Sequence, residues 1–231
     1  MNKVDQSKTQ IQKQIQVYPS ILAADFGKLA DEAKRAEDAG ADGLHIDIID
    51  GHFAPNFSLG AKAVADIRKS TSLFLDVHLM TYNPYGYIEQ FVEAGAHGIT
   101  FHFEATEDVL DTLNYIRKCR VKAGLAFSPD TSPEMILKYL KEADQILLMT
   151  VNPGFTGQPF LPEMVEKIHY VKTLSKALDA APLIQVDGGI NQETGLLCVK
   201  AGASILVSGQ YLYQSKDMKG AIKSLKELNG S

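Results

Sequence analysis

The sequence predicts a single α/β domain, a closed (β/α)8 barrel of the TIM type, and three observations carry that prediction. First, one pattern recurs: AGADGLHID at 39–47, AGAHGITFH at 94–102 and AGASILVSG at 201–209 each run from a helix end through a Gly-containing turn into an apolar strand. Second, the intervals of 55 and 107 residues hold two and four helix-plus-strand units if one unit takes roughly 27 residues. Third, the strand segments are rich in Ile, Leu and Val on both faces, as parallel strands covered on both sides are.

In chain order, VYPSILAAD (17–25) holds the first strand, and GKLADEAKRAEDAG (27–40) follows with apolar residues at helical spacing and a terminal Gly. The second strand lies in 39–47 and the third in SLFLDVHLM (72–80). The helix of YGYIEQFVEAG (85–95) leads into the fourth strand at 94–102. VKAGLAFS (121–128) and ADQILLMT (143–150) supply strands five and six, and LPEMVEKIHYVKTLSKAL (161–178) is the helix that follows. PLIQVDGG (182–189) and 201–209 complete the eight. An open doubly wound sheet usually shows a GxGxxG turn after an early strand, and none occurs here. Residues 17–231 are therefore expected to form the barrel, with 1–16 as an N-terminal extension. Its Val4, Ile11 and Ile15 bury little surface against the entropy of ordering.

Composition narrows the function classes. With 45% hydrophobic and 22% charged residues the chain is neither disordered nor a small disulfide-stapled scaffold. A formal charge of -5 speaks against a broad nucleic-acid-binding face, and no uncharged apolar run is long enough to span a bilayer. Residues 1–16 lack the apolar core of a secretory signal, so a cytoplasmic protein is expected. Cys119 and Cys198 share no metal or redox spacing and read as reduced structural thiols.

In such a barrel the chemistry sits at the C-terminal ends of the strands. His45 and Asp47 are two apart on the second strand and share the face opposite Leu44, Ile46 and Ile48, which is the barrel interior. His78 and Asp187, at the ends of strands three and seven, converge on the same mouth. An interior carboxylate beside an imidazole is costly unless paired or metal-bound. Four such residues at three strand ends favour a divalent metal site, for Zn2+, Fe2+, Mn2+ or Co2+. Asp76 lies one layer deeper and reads as a supporting carboxylate or a satisfied core acid. His102 ends strand four without a partner acid in register and reads at best as a pocket wall. His52, His97 and His169 read as surface or capping residues, and Asp50 as a turn former.

A second constellation is glycine-rich: NPGFTGQ after strand six, DGG after strand seven and SGQ after strand eight. These loops let backbone N–H groups approach an anion closely, and loops after strands seven and eight are a frequent phosphate site in this architecture. They contain no Lys or Arg, so amide dipoles and helix N-termini would hold the phosphate. A metal beside a phosphate cradle predicts a small phosphorylated substrate. Asp47 and Asp187, three steps apart around a ring of eight, suit removal of a proton from one face of a carbon and delivery to the other, through an enediolate.

The segments PSILAADF, HIDIIDGHFAPN, LDVHLM, VNPGFTGQPF and VDGGIN resemble, in order, the signature segments of the ribulose-phosphate 3-epimerase family, over residues 17–212. The resemblance implies a metal-dependent epimerase that converts D-ribulose 5-phosphate to D-xylulose 5-phosphate, in the pentose phosphate pathway. It implies His45, Asp47, His78 and Asp187 as ligands of one divalent ion, Zn2+ or Fe2+ ahead of Mn2+ or Co2+, with Asp47 and Asp187 also the acid–base pair. By the same resemblance Ser20, His78, Met80 and Met149 contact the substrate. Gly154, Phe155, Thr156, Gly157, Gly188, Gly189, Gly209 and Gln210 surround its phosphate.

Ile49 where the family usually has Met, Thr156 within GFTG where many members have GFGG, and Gln210 where Ser or Thr is common depart from the pattern. TVNPGFTGQPFLPEM is also similar to the allulose-6-phosphate 3-epimerase branch, which leaves D-allulose 6-phosphate as an alternative substrate. A lyase of the hexulose-phosphate synthase type is a further alternative, disfavoured by the second acid, Asp187. The expected partner is a small sugar phosphate, with no nucleic acid or membrane and with self-association into a homo-oligomer.

Overall fold

The computed structural model describes residues 14–180 and 182–229. Eight parallel strands alternate with helices: β1 (Gln16–Pro19), β2 (Gly43–Ile49), β3 (Phe74–Met80), β4 (Gly98–His102), β5 (Lys122–Phe127), β6 (Gln145–Met149), β7 (Leu183–Asp187) and β8 (Ile205–Ser208). The described α-helices are α1 (Leu29–Asp38), α2 (Ala61–Ser70), α3 (Ile88–Glu93), α4 (Val109–Lys118), α5 (Pro133–Ile136), α6 (Met164–Ala177), α7 (Gln192–Ala201), α8 (Gln210–Tyr213) and α9 (Met218–Lys226). The strands pair in the order β1-β8-β7-β6-β5-β4-β3-β2. A parallel bridge between Ser20 and His45 joins the two ends of that order. Below it the Val17 N–H donates to the Asp42 carboxylate at 2.9 Å, and the Asp42 N–H to the Val17 carbonyl at 3.1 Å. The molecule is thus a single (β/α)8 barrel.

The apolar core fills the space between sheet and helices. Ile46, Val77, Ile99, Leu125, Ile146 and Leu206 point outward from their strands and pack against helix residues such as Val64, Leu113, Ile168 and Ile222. Alternation along each strand then sends the intervening residues into the barrel interior. There the floor is apolar, with Tyr18, Ile205 and Val207 packed against Phe74 and Leu183. The layer above is polar: His45, Asp76, Thr100, Gln145 and Gln185 are all buried. Their mutual hydrogen bonds meet the requirement that buried polar groups be satisfied.

The first strand begins one residue earlier than the sequence predicts. Ile15, grouped above with Val4 and Ile11 as able to bury little, is instead buried in the main core at 9% exposure. Residues 1–13 of the predicted extension, with Val4 and Ile11, lie outside the described residues. Cys119 caps the end of α4 and Cys198 is buried in α7, both as free thiols. Among the described residues no helix is long and apolar enough to cross a membrane.

Candidate active site

The register of β2 against β3 assembles the site. His45 lies opposite Asp76 and Asp47 opposite His78, so two adjacent strands contribute two layers of acid and imidazole. Asp187 closes β7 from the other side. Each of His45, Asp47, His78 and Asp187 offers one ligand atom, and these atoms lie within 4.8 Å of one another. His45 Nε2 stands 3.3 Å from His78 Nδ1, 3.3 Å from Asp47 Oδ1 and 3.6 Å from Asp187 Oδ2, while His78 Nδ1 stands 3.0 Å from Asp47 Oδ1.

Neighbouring groups orient these side chains. His45 Nδ1 donates to Asp76 Oδ2 at 2.8 Å, which turns Nε2 toward the cluster. Asp76 also accepts from the Gln185 amide at 2.7 Å and from the Gln145 amide at 3.4 Å, so it is both a satisfied core acid and the support of His45. Ser20 Oγ donates to Asp47 Oδ2 at 2.7 Å, leaving Oδ1 to face the imidazoles.

The acids differ in charge. Burial pushes the Asp187 carboxyl up to about 7, and the Asp47 charge adds to that rise. Burial acts the same way on Asp47, but the His45 and His78 rings beside it hold its carboxyl well below the ordinary carboxylate range. Burial would lower His45; the Asp47 and Asp76 carboxylates outweigh it and hold the imidazole well above its ordinary value. Burial brings His78 down to about 4, so its ring is neutral near pH 7.

The donor set fits a divalent metal. Two imidazole nitrogens and two carboxylate oxygens suit Zn2+, Fe2+, Mn2+ and Co2+ alike. Ligand atoms about 2.1 Å from a common ion stand roughly 3 Å apart, the spacing found around His45 Nε2. Two acids and a raised imidazole packed into one buried cluster are also a cation-seeking arrangement.

A cavity of about 350 Å³ opens above the cluster. Ser20, Asp47, Met80, Met149 and Asp187 line it, together with Gly154, Phe155, Thr156, Gly157, Gly188, Gly189, Gly209 and Gln210. The three glycine loops therefore meet on one cavity. Gly157 and Gly188 take φ values of 77° and 122°, closed to ordinary L side chains. A Cβ at Gly188 would stand 2.8 Å from the Val151 backbone nitrogen, and one at Gly157 2.6 Å from the Gln210 amide. No Lys or Arg is among the described lining residues. An anion here would meet backbone N–H groups.

His78 is fully buried below the cavity rather than on its wall. Ile49, the first departure from the family pattern, is buried with Ala54 and Met80, of which Met80 lines the cavity. His52, His97 and His169 are exposed, and the His97 ring caps the Leu75 N–H. Asp50 accepts from the N–H groups of His52, Phe53 and Tyr82, as a turn former does. His102 corrects the sequence reading twice. It does not line the cavity, and it does have a partner acid: Glu104 Oε2 lies 3.0 Å from its Nδ1. The strand ends at His102, and a 3-10 turn over Phe103–Ala105 swings Glu104 back onto the ring. Burial would raise the Glu104 carboxyl, yet hydrogen bonds from His102, Thr131 and Ser128 hold it at about 2.

Comparison with known proteins adds independent findings. The family model described as "Ribulose-phosphate 3 epimerase family" matches residues 16–213. A protein of Chlamydia pneumoniae named ribulose-phosphate 3-epimerase is 52% identical over 211 residues, 90% of this chain and 91% of that one. The Bacillus subtilis (strain 168) protein of the same name is 44% identical over 218 residues, 94% and 99% of the two chains. A solved 3-hexulose-6-phosphate synthase superposes with a TM-score of 0.66 at 16% identity, covering 92% of this chain and 98% of its own. At that identity the likeness is one of fold.

Proposed function

The chain belongs to the ribulose-phosphate 3-epimerase family, and from that premise we propose that it inverts C3 of D-ribulose 5-phosphate to give D-xylulose 5-phosphate, with Asp47 and Asp187 as the acid–base pair. One observation carries the assignment of roles: the two carboxyl groups enter the same cluster from strands three positions apart, and their surroundings drive them apart, Asp47 down and Asp187 up to about 7. Pairs of carboxyls whose surroundings drive them apart in this way mark an acid and a base.

In the forward direction ionised Asp47 takes the C3 proton, and the electron pair of that C–H bond moves into an enediolate across C2 and C3. Asp187 then delivers its proton to the opposite face of C3. Asp47 is left protonated and Asp187 ionised, which is the starting arrangement for the reverse reaction. Ser20 holds Asp47 in place, and Met80 and Met149, at 2% and 3% exposure, keep water from the reacting carbons. The glycine loops bind the phosphate through backbone N–H groups.

His45, Asp47, His78 and Asp187 would hold one divalent ion, with Zn2+ or Fe2+ ahead of Mn2+ or Co2+. When bound, such an ion acts as a Lewis acid on substrate oxygens that gain negative charge. The test is turnover of D-ribulose 5-phosphate against D-allulose 6-phosphate by the metal-loaded protein. A kcat/KM at least tenfold higher for the pentulose is expected; preference for the hexulose, or epimerisation of neither, overturns the reading.

A further inference from the structure

We propose that His102 and Glu104 form a positioning relay that fixes the protonation of His78 so that its Nδ1 lone pair faces the metal site. The inference rests on the reading of His78 as a metal ligand and adds residues that reading does not use. His102 is the last residue of β4 and is fully buried. Its Nε2 lies 3.0 Å from His78 Nε2, with the ring planes inclined by 27°. Its Nδ1 lies 3.0 Å from Glu104 Oε2. The other Glu104 oxygen accepts from the Ser128 N–H at 2.9 Å and from the Thr131 hydroxyl.

With His78 Nδ1 as a metal ligand, its lone pair faces the cluster and its hydrogen sits on Nε2, and the contacts around His102 accommodate that arrangement. An ionised carboxylate only accepts, so His102 Nδ1 carries a hydrogen. Two nitrogens 3.0 Å apart share one hydrogen, and with His78 Nδ1 turned to the metal it belongs to His78 Nε2, which leaves the His102 Nε2 lone pair to accept it. His78 Nδ1 is left with its lone pair 3.0 Å from Asp47 Oδ1 and 3.3 Å from His45 Nε2, where the four ligand atoms gather. Asp76 performs the same service for His45 through Nδ1. The two ligands thus present opposite nitrogens, Nε2 from His45 and Nδ1 from His78, and each is set by a carboxylate on its far side.

Lys167 anchors the relay's outer end. Its ammonium donates to the carbonyls of Ser128 and Pro129 at 3.1 Å and to that of Thr131, which holds the loop that Glu104 grips.

The experiment combines 1H–15N NMR of the histidine rings in protein freed of metal with Zn2+ affinity measured by chelator competition. In the native protein His78 is expected to carry its hydrogen on Nε2 and His102 on Nδ1. Glu104→Gln, which can donate as well as accept, is expected to mix the two His78 tautomers and weaken Zn2+ binding about 10- to 100-fold. His102→Phe is expected to weaken it at least as much. A native His78 protonated on Nδ1, or a doubly protonated His102, overturns the relay even if a variant fails to fold. Wild-type Zn2+ affinity in both variants, with affinity lost in His78→Ala, overturns the relay alone. Unchanged affinity in His78→Ala overturns the metal reading beneath it.

Discussion

Asp187 and Asp47 reach the same buried cluster from opposite sides of the barrel, yet only Asp187 is pushed up, to about 7. Asp47 has two imidazole rings and the Ser20 hydroxyl for neighbours, whereas Asp187 faces the Asp47 charge. Identical side chains thereby hold a proton with very different strength. That asymmetry is what a two-sided proton transfer requires.

Asp187→Asn removes the proton donor for one face while leaving Asp47 and Ser20 in place. Epimerisation is expected to fall by about 10²–10⁴-fold or more, the range for loss of a general acid. Exchange of the substrate C3 proton with solvent through Asp47 persists, and 1H NMR in D2O reads both. Loss of exchange in a variant that still binds metal contradicts the division of roles.

Metal uptake should depend on pH in a stated direction. His45, which the Asp47 and Asp76 carboxylates hold well above its ordinary value, must shed its Nε2 proton to become a ligand, so binding has to expel that proton. Zn2+ binding is therefore expected to release at least one proton at pH 6, with affinity rising with pH. Calorimetry in buffers of different ionisation enthalpy counts them. Binding that releases no proton at pH 6 is inconsistent with a raised His45.

How much of this was legible in the sequence follows from where regular geometry ends. The recurring helix–turn–strand pattern fixed the number of strands because each unit repeats the same burial problem. The alternation of β2 placed His45 and Asp47 on one face without any structure. Glu104 escaped that logic because the alternation rule stops with the strand at His102, and a 3-10 turn then sets its direction. Ile15 is not legible as core because its polar neighbours, Gln14 and Gln16, hide that it adjoins the first strand and packs into the core. The glycine loops were recognisable as turns, but their meeting on one cavity depends on the closure of the ring.

Gly157→Ala tests the phosphate cradle. The new Cβ meets the Gln210 amide at 2.6 Å in a backbone held at φ 77°. KM for the sugar phosphate is expected to rise about tenfold, worth about 1.4 kcal/mol of binding, with kcat within about twofold. Adding Gln210→Ala restores part of the loss by removing the clash. A drop in kcat at constant KM would assign the loop to the chemical step instead.

Lys167→Met removes a buried ammonium that donates to three carbonyls of the 128–131 segment. A loss of about 2–3 kcal/mol in urea unfolding is expected, since hydrogen bonds to charged groups are the stronger kind. Amide exchange at Ser128 and Thr131 should accelerate in the same variant. A change below about 0.5 kcal/mol would mean that water replaces the ammonium without penalty.

The central claim is that one carboxyl removes the C3 proton and another supplies its replacement. The most direct test runs the metal-loaded protein on D-ribulose 5-phosphate in D2O and reads the first-formed D-xylulose 5-phosphate by NMR. The account predicts solvent deuterium at C3 of the product, one per molecule formed. Product that retains the substrate's own C3 hydrogen would contradict it, because a single group would then have carried the proton from one face to the other.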